Sequence, residues 1–74
     1  MTDRLLPLHG LKCPLPALYV RRALRRATPG TRLTVECTDP LAGIDIPNTV
    51  RESGDVLEET RQDGAVQVFV IRKR

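Results

Sequence analysis

Residues 13–27 read CPLPALYVRRALRRA, and this stretch decides the fold. Apolar side chains recur in it at helical spacing, and arginines fill the complementary positions. This pattern predicts an amphipathic helix over residues 17–27 with one face on a core. Thr28-Pro29-Gly30 follows and ends the helix. The apolar positions are Ala17, Val20, Ala23, Leu24 and Ala27, and the basic positions are Arg21, Arg22, Arg25 and Arg26.

The segments on either side of this helix have the pattern of strands. Residues 5–8 are a short apolar run that ends at His9-Gly10. Residues 33–38 alternate apolar and polar side chains, as in a half-buried strand, and Asp39-Pro40 breaks the pattern. Strand, helix and strand in this order predict a right-handed crossover unit.

A second helix is expected over residues 45–53. Asp45 is the expected N-cap, and Pro47 then falls in the first turn, where a missing N–H costs little. Gly54 is the expected stop. The inner face is Ile46 and Val50.

Residues 56–62 and 66–72 are two further strands, and Asp63-Gly64 between them is a hairpin signal. The element order is therefore β-α-β-α-β-β in one domain, residues 1–74. Two amphipathic helices and four strands predict an α/β (α+β) two-layer sandwich, with a mixed four-stranded sheet and both helices on one face. The order of strands across the sheet is left open.

Composition limits the kind of site. The chain has 74 residues with one Phe, one Tyr and no Trp, so its core must be aliphatic. A domain this small has little room for a deep cofactor cavity, and we expect a shallow surface site without a cofactor. The formal charge of +3 favours an acidic protein, an anionic small molecule or RNA as partner.

The chain reads as cytosolic. No apolar run approaches the roughly 20 residues of a membrane span. Met1 to Leu8 is too short and too weakly basic for a secretory signal. In such a compartment Cys13 and Cys37 are expected to be thiols, and two Cys with one His fall short of a structural zinc site.

Cys13 is the candidate nucleophile. Pro14 suits the first helical position, which makes Cys13 the expected N-cap with its sulfur at the positive end of the helix dipole. That position, next to Lys12, favours the thiolate. Pro14 and Pro16 lack an N–H, so Leu15 is expected to offer the sulfur the free donor of the first turn. The alternative is that Cys13 only fills space in the core.

The segment His9-Gly10-Leu11-Lys12-Cys13-Pro14-Leu15-Pro16 resembles the signature of the TusA/SirA family of sulfur carriers. Further similarities lie in register at Pro29-Gly30, Asp39-Pro40, Asp45-Ile46-Pro47 and Ile71-Arg72-Lys73. The resemblance implies a sulfurtransferase that takes sulfane sulfur as a persulfide on Cys13 and relays it to a partner protein.

The resemblance also implies the partners and the site. The donor would be a cysteine desulfurase or a rhodanese-like protein, and the acceptor another protein. Residues around the cysteine would shape the site: Gly10, Lys12, Pro14, Leu15 and Pro16. Pro7 and Leu15 stand where members of the family often carry acidic residues, and these departures bear on which partner the chain serves.

The other candidates have ordinary structural interpretations. Cys37 shares the face of the apolar positions in its strand and reads as core rather than as a resolving thiol. His9 could support a thiolate, but a loop histidine is commonly solvated or a cap. Asp45 reads as a cap rather than as an acid or base. The basic helix face is either a solvated surface or a docking surface for an acidic partner.

Two other functions remain open. A small domain with a basic helix can bind RNA, although the shortage of aromatic residues argues against base stacking, and no stable nucleic-acid complex is expected. A regulatory domain in which Cys13 only senses oxidants is the other alternative.

Overall fold

The computed structural model describes residues 3–74, so Met1 and Thr2 of the amino-terminal segment lie outside the described residues. The elements follow the predicted order, β-α-β-α-β-β. They are β1 (Asp3–Leu8), α1 (Leu15–Arg26), β2 (Arg32–Cys37), α2 (Ala42–Ser53), β3 (Val56–Asp63) and β4 (Val66–Arg72).

The strands form one mixed sheet in the order β1-β2-β4-β3. β1 runs parallel to β2, whereas β4 runs antiparallel to both of its neighbours. The predicted fold class is therefore confirmed. The last strand of the chain lies inside the sheet, and β3 joins the sheet through β4 alone.

The core lies between the sheet and the two helices. On β2, Val35 is fully buried, and its partners across the sheet are Leu6 and Phe69. Leu24 of α1 and Ile46 of α2 close the other side, at 1% and 0% exposure. Apart from the one phenylalanine the core is aliphatic, as the composition predicts, and it includes the thiol of Cys37.

The start of α1 differs from the prediction. The N-cap is Pro14 rather than Cys13, and the first helical residue is Leu15. Pro14 makes no side-chain cap hydrogen bond, and its carbonyl accepts the N–H of Leu18 at 3.2 Å. Cys13 therefore lies in a turn, one residue before the N-cap. The predicted inner face is confirmed at Val20 and Leu24.

The start of α2 also differs. This helix begins at Ala42 with Leu41 as its N-cap, so the prediction of Asp45 as the cap is wrong. Pro47 consequently lies inside the helix rather than in its first turn. The predicted end is confirmed, because Gly54 has a φ of +82°, which a residue with a Cβ rarely adopts.

Within residues 3–74, no helix is both long enough and apolar enough to cross a membrane.

Candidate functional site around Cys13

Cys13 lies in the loop that leaves β1 and enters α1. The loop turns at Gly10, whose φ of +81° requires glycine or a strained residue. The Gly10 N–H donates to Oγ1 of Thr38 at 2.9 Å, immediately after β2. This bond ties the cysteine loop to the carboxyl end of the neighbouring strand. The Cys13–Pro14 peptide bond is cis.

Two carboxylates converge on Cys13 from the segment that follows β2. The backbone N–H of Cys13 donates to Oδ2 of Asp39 at 2.6 Å. The Cys13 thiol donates to Oδ2 of Asp45 at 2.8 Å. Because β1 and β2 are parallel, their carboxyl ends meet at the same edge of the sheet, and the residues that follow them are brought together there.

Asp39 is itself held in place by β4 and by the start of α2. Its Oδ1 accepts the N–H of Leu41 at 3.2 Å, and its carbonyl accepts Nε2 of Gln67 at 3.2 Å. A Cβ on Gly43 would lie 2.9 Å from the Gln67 side-chain oxygen, so a glycine at this position leaves room for that side chain. These bonds fix the carboxylate that orients the Cys13 backbone.

The contact with Asp45 reverses the predicted acidity of the thiol. The hydrogen bond to Asp45 raises the pKa of Cys13, and the negative charges of Asp45 and Asp39 raise it further. The predicted shift towards thiolate is wrong. The helix terminus provides about half a positive charge that fades within the first turn, whereas Asp45 provides a full negative charge in contact with the sulfur.

The N–H of Leu15, which is the expected donor to the sulfur, bonds to another group. The N–H of Leu15 donates to the carbonyl of Lys12 at 2.9 Å, which closes the turn around Cys13. Pro16 is buried beneath the first turn, and the Pro14 ring and the Leu15 and Lys12 side chains are exposed. These residues shape the loop, but it is the carboxylates that contact the thiol.

The structure separates the other candidates from the thiol of Cys13. Cys37 is fully buried, and desolvation is the main cause that raises its pKa to about 11. Nε2 of His9 pairs with Oε1 of Glu36 at 2.9 Å. The His9 side chain is thus paired with a residue of β2.

The basic face of α1 is exposed and extends away from Cys13. Arg21 reaches across to Glu52 of α2, with Nη2 and Oε1 3.4 Å apart. Arg22 and Arg25 lie in a shallow groove with Leu15 and Tyr19. Arg25 is ten residues beyond Leu15, which places it about 15 Å further along the helix axis. The groove therefore begins beside the cysteine loop, while its arginines lie further along α1, away from Cys13.

Asp39 and Asp45 both contact Cys13, whereas the sequence pattern predicts only a strand breaker at Asp39 and a cap at Asp45. A usable signal was present, because both residues follow β2, whose carboxyl end meets that of β1 in a parallel pair. Within residues 3–74, no cluster of three or more His, Cys, Asp or Glu side chains has the arrangement of a metal site.

An exposed cysteine on a loop between a strand and a helix, held by two carboxylates, defines a thiol site on a small α+β domain. Sequence comparison indicates the class of protein, because similar proteins are named sulfur carrier proteins. A protein of Neisseria meningitidis serogroup A, provisionally named a sulfur carrier protein, is 39% identical over 99% of this chain and 100% of its own. The sulfur carrier protein TusA of Allochromatium vinosum is 34% identical over 96% and 93%.

The TusA protein of Pseudomonas aeruginosa strain LESB58 is 33% identical over 97% of this chain and 91% of its own. The family described as sulfurtransferase TusA matches residues 5–73. The chain belongs to the TusA sulfurtransferase family.

Proposed function

We propose that this protein carries sulfur as a persulfide on Cys13 and relays it between proteins. One observation carries the proposal: the Cys13 thiol is exposed at the edge of the sheet, whereas Cys37 is sealed in the core. Relay between proteins requires a sulfur that another protein can reach, and Cys13 meets that requirement.

The chemistry needs only thiols and one mobile sulfur atom. The Cys13 sulfur attacks the outer sulfur of a donor persulfide, and a new S–S bond forms as the donor S–S bond breaks. The bonding electrons stay on the donor cysteine, which takes up the proton that Cys13 loses. Discharge repeats the step, with an acceptor thiolate attacking the outer sulfur on Cys13. No net oxidant or reductant is consumed, and no cofactor is required.

The geometry favours proteins as both donor and acceptor. The thiol is exposed on a loop, and a small molecule would be held there by few contacts. The donor class is a cysteine desulfurase or a rhodanese-like protein, the acceptor is a protein with a receiving thiol, and the compartment is the cytoplasm. The names of the relatives agree with a carrier role.

Intact mass measurement tests the proposal directly. The protein is incubated with a cysteine desulfurase and cysteine, and we expect the mass of one sulfur atom to be added. A reductant should remove the added sulfur, and peptide mapping should place it on Cys13. No added mass with either a desulfurase or a persulfidated rhodanese as donor would count against the carrier function.

A further inference from the structure

Exposed aliphatic side chains cluster around the cysteine loop. Of the six large hydrophobic residues that are exposed within residues 3–74, four belong to the two helix starts that meet at Cys13. Leu15 and Leu18, on α1, are 43% and 52% exposed, and Leu41 and Ile44, at the start of α2, are 51% and 63% exposed. We call these four residues the aliphatic rim.

The hydrogen bonds that hold the thiol also connect it to both sides of this rim. Leu15 follows Cys13 by two residues, and Leu41 donates its N–H to the same carboxylate that accepts the N–H of Cys13. Ile44 is the neighbour of Asp45, whose carboxylate accepts the thiol proton. The sulfur therefore lies near two negative charges, and residues of the aliphatic rim are close in sequence to the residues that hold it.

This combination does not suit a small anionic sulfur compound. Thiosulfate is a dianion, so Asp39 and Asp45 repel it, and it cannot cover four aliphatic side chains. The same carboxylates suit a protein that presents a cation, and the rim suits a protein surface with an apolar centre.

We infer that Asp45 determines donor specificity. It lowers the reactivity of Cys13 with small anions, and it favours a donor protein that covers the aliphatic rim and presents a cationic side chain to Asp45. The inference rests on the proposed carrier function. It assigns to Asp45 a role in the reaction beyond its place in α2, because its Oδ2 contacts the reacting sulfur at 2.8 Å.

The role follows from the fate of the thiol proton. In the free protein the proton stays on Sγ, because its hydrogen bond to Asp45 stabilises the thiol over the thiolate. A cation from the donor pairs with Asp45 and weakens that hydrogen bond. Sγ then bonds to the outer sulfur of the donor persulfide, the donor S–S bond breaks, and the donor cysteine sulfur leaves with the electron pair and takes the proton.

The test compares Asp45→Asn with a matched control, Glu52→Gln. Both substitutions remove one negative charge from α2, and Glu52 lies in the last turn, paired with Arg21. Alkylation of Cys13 is timed at neutral pH with neutral iodoacetamide and with anionic iodoacetate. We expect Asp45→Asn to react about fivefold faster with iodoacetamide, the factor for one unit charge near contact in a water-like medium. The gain with iodoacetate should be larger still at low salt.

Loading from a persulfidated donor protein should change in the opposite direction. We expect Asp45→Asn to load more slowly from the donor protein than the wild type, while its loading from thiosulfate does not fall. Glu52→Gln should match the wild type in every assay. Equal alkylation rates in Asp45→Asn and wild type, or equal loading from the donor protein, would overturn the inference.

A wild-type measurement covers the case in which Asp45→Asn fails to fold. The ratio of iodoacetate to iodoacetamide rates at Cys13 should rise with salt more steeply than in an unstructured cysteine peptide, because salt screens the two carboxylates as well as the thiolate. A rise no steeper than that of the peptide contradicts the inference. Failure of the carrier function itself looks different, because the wild type would then take up no sulfur while the alkylation differences persist.

Discussion

The two cysteines occupy opposite environments and share one property. Cys13 is exposed on a loop, and Cys37 is at 0% exposure on a central strand, yet the pKa of each thiol is raised. The causes differ: a carboxylate in contact raises the pKa of Cys13, whereas desolvation raises that of Cys37. Access rather than acidity therefore separates the thiol that we propose as the sulfur carrier from the thiol in the core.

The largest expected effect comes from removing the exposed thiol. Cys13→Ser should abolish sulfur loading and leave the fold intact, since a serine hydroxyl can donate to Asp45 as the thiol does. Intact mass after incubation with a desulfurase and cysteine measures the loading, and circular dichroism monitors the fold. Loading that survives in Cys13→Ser and disappears in Cys37→Ser would reverse the assignment of the two cysteines.

The next effect is the pH dependence of alkylation. A raised thiol pKa means that less thiolate is present at neutral pH, so the rate at Cys13 should rise with pH through a midpoint above that of an unstructured cysteine peptide. Cys37 should remain unmodified until the protein unfolds. Iodoacetamide rates from mass spectrometry, read against pH, measure both. A midpoint for Cys13 below that of the peptide would mean that the helix terminus prevails over Asp45.

The buried thiol of Cys37 should affect the free energy of unfolding. Cys37→Ser places a hydroxyl in the core and should lower the free energy of unfolding by about 1–3 kcal/mol while sulfur loading is retained. Urea unfolding measures the change, and Cys37→Ala separates the lost volume from the added hydroxyl. If Cys37→Ser were as stable as the wild type, Cys37 would not be part of a tight core.

The smallest effect concerns the basic face of α1. Arg22→Glu with Arg25→Glu should slow transfer from an acidic partner several-fold and weaken its salt dependence, because both residues are too far from the thiol to act except by steering. Alkylation of Cys13 by iodoacetamide should not change. The control is Arg51→Glu with Arg61→Glu, which changes the net charge equally on other elements. Unchanged transfer would show that the basic face is only solvated surface.

The sequence was sufficient to predict the helices and strands but not how they contact one another. Periodicity identified both helices and all four strands, because hydrophobic spacing is a local property. The position of β4 inside the sheet could not be derived, because strand order depends on pairing between distant segments.

The same limit applies to the site. The prolines and neighbours of Cys13 are enough to predict it as the candidate thiol, but its contact with Asp45 joins residues 32 positions apart. That contact depends on where α2 begins, and the N-cap of this helix is Leu41, four residues before Asp45. Because the start of α2 is predicted too late, Asp45 is interpreted as a cap, although its carboxylate contacts the Cys13 thiol.

The inner position of β4 has a consequence for how the protein is made. Ribosomes produce β1, both helices and β3 before β4, and until residues 66–72 emerge β3 has no neighbour in the sheet. Apolar side chains that Phe69 and Ile71 later cover stay open to water during translation. The nascent chain therefore cannot complete its sheet stepwise, and its cysteine loop gains the support of Gln67 only after β4 has emerged.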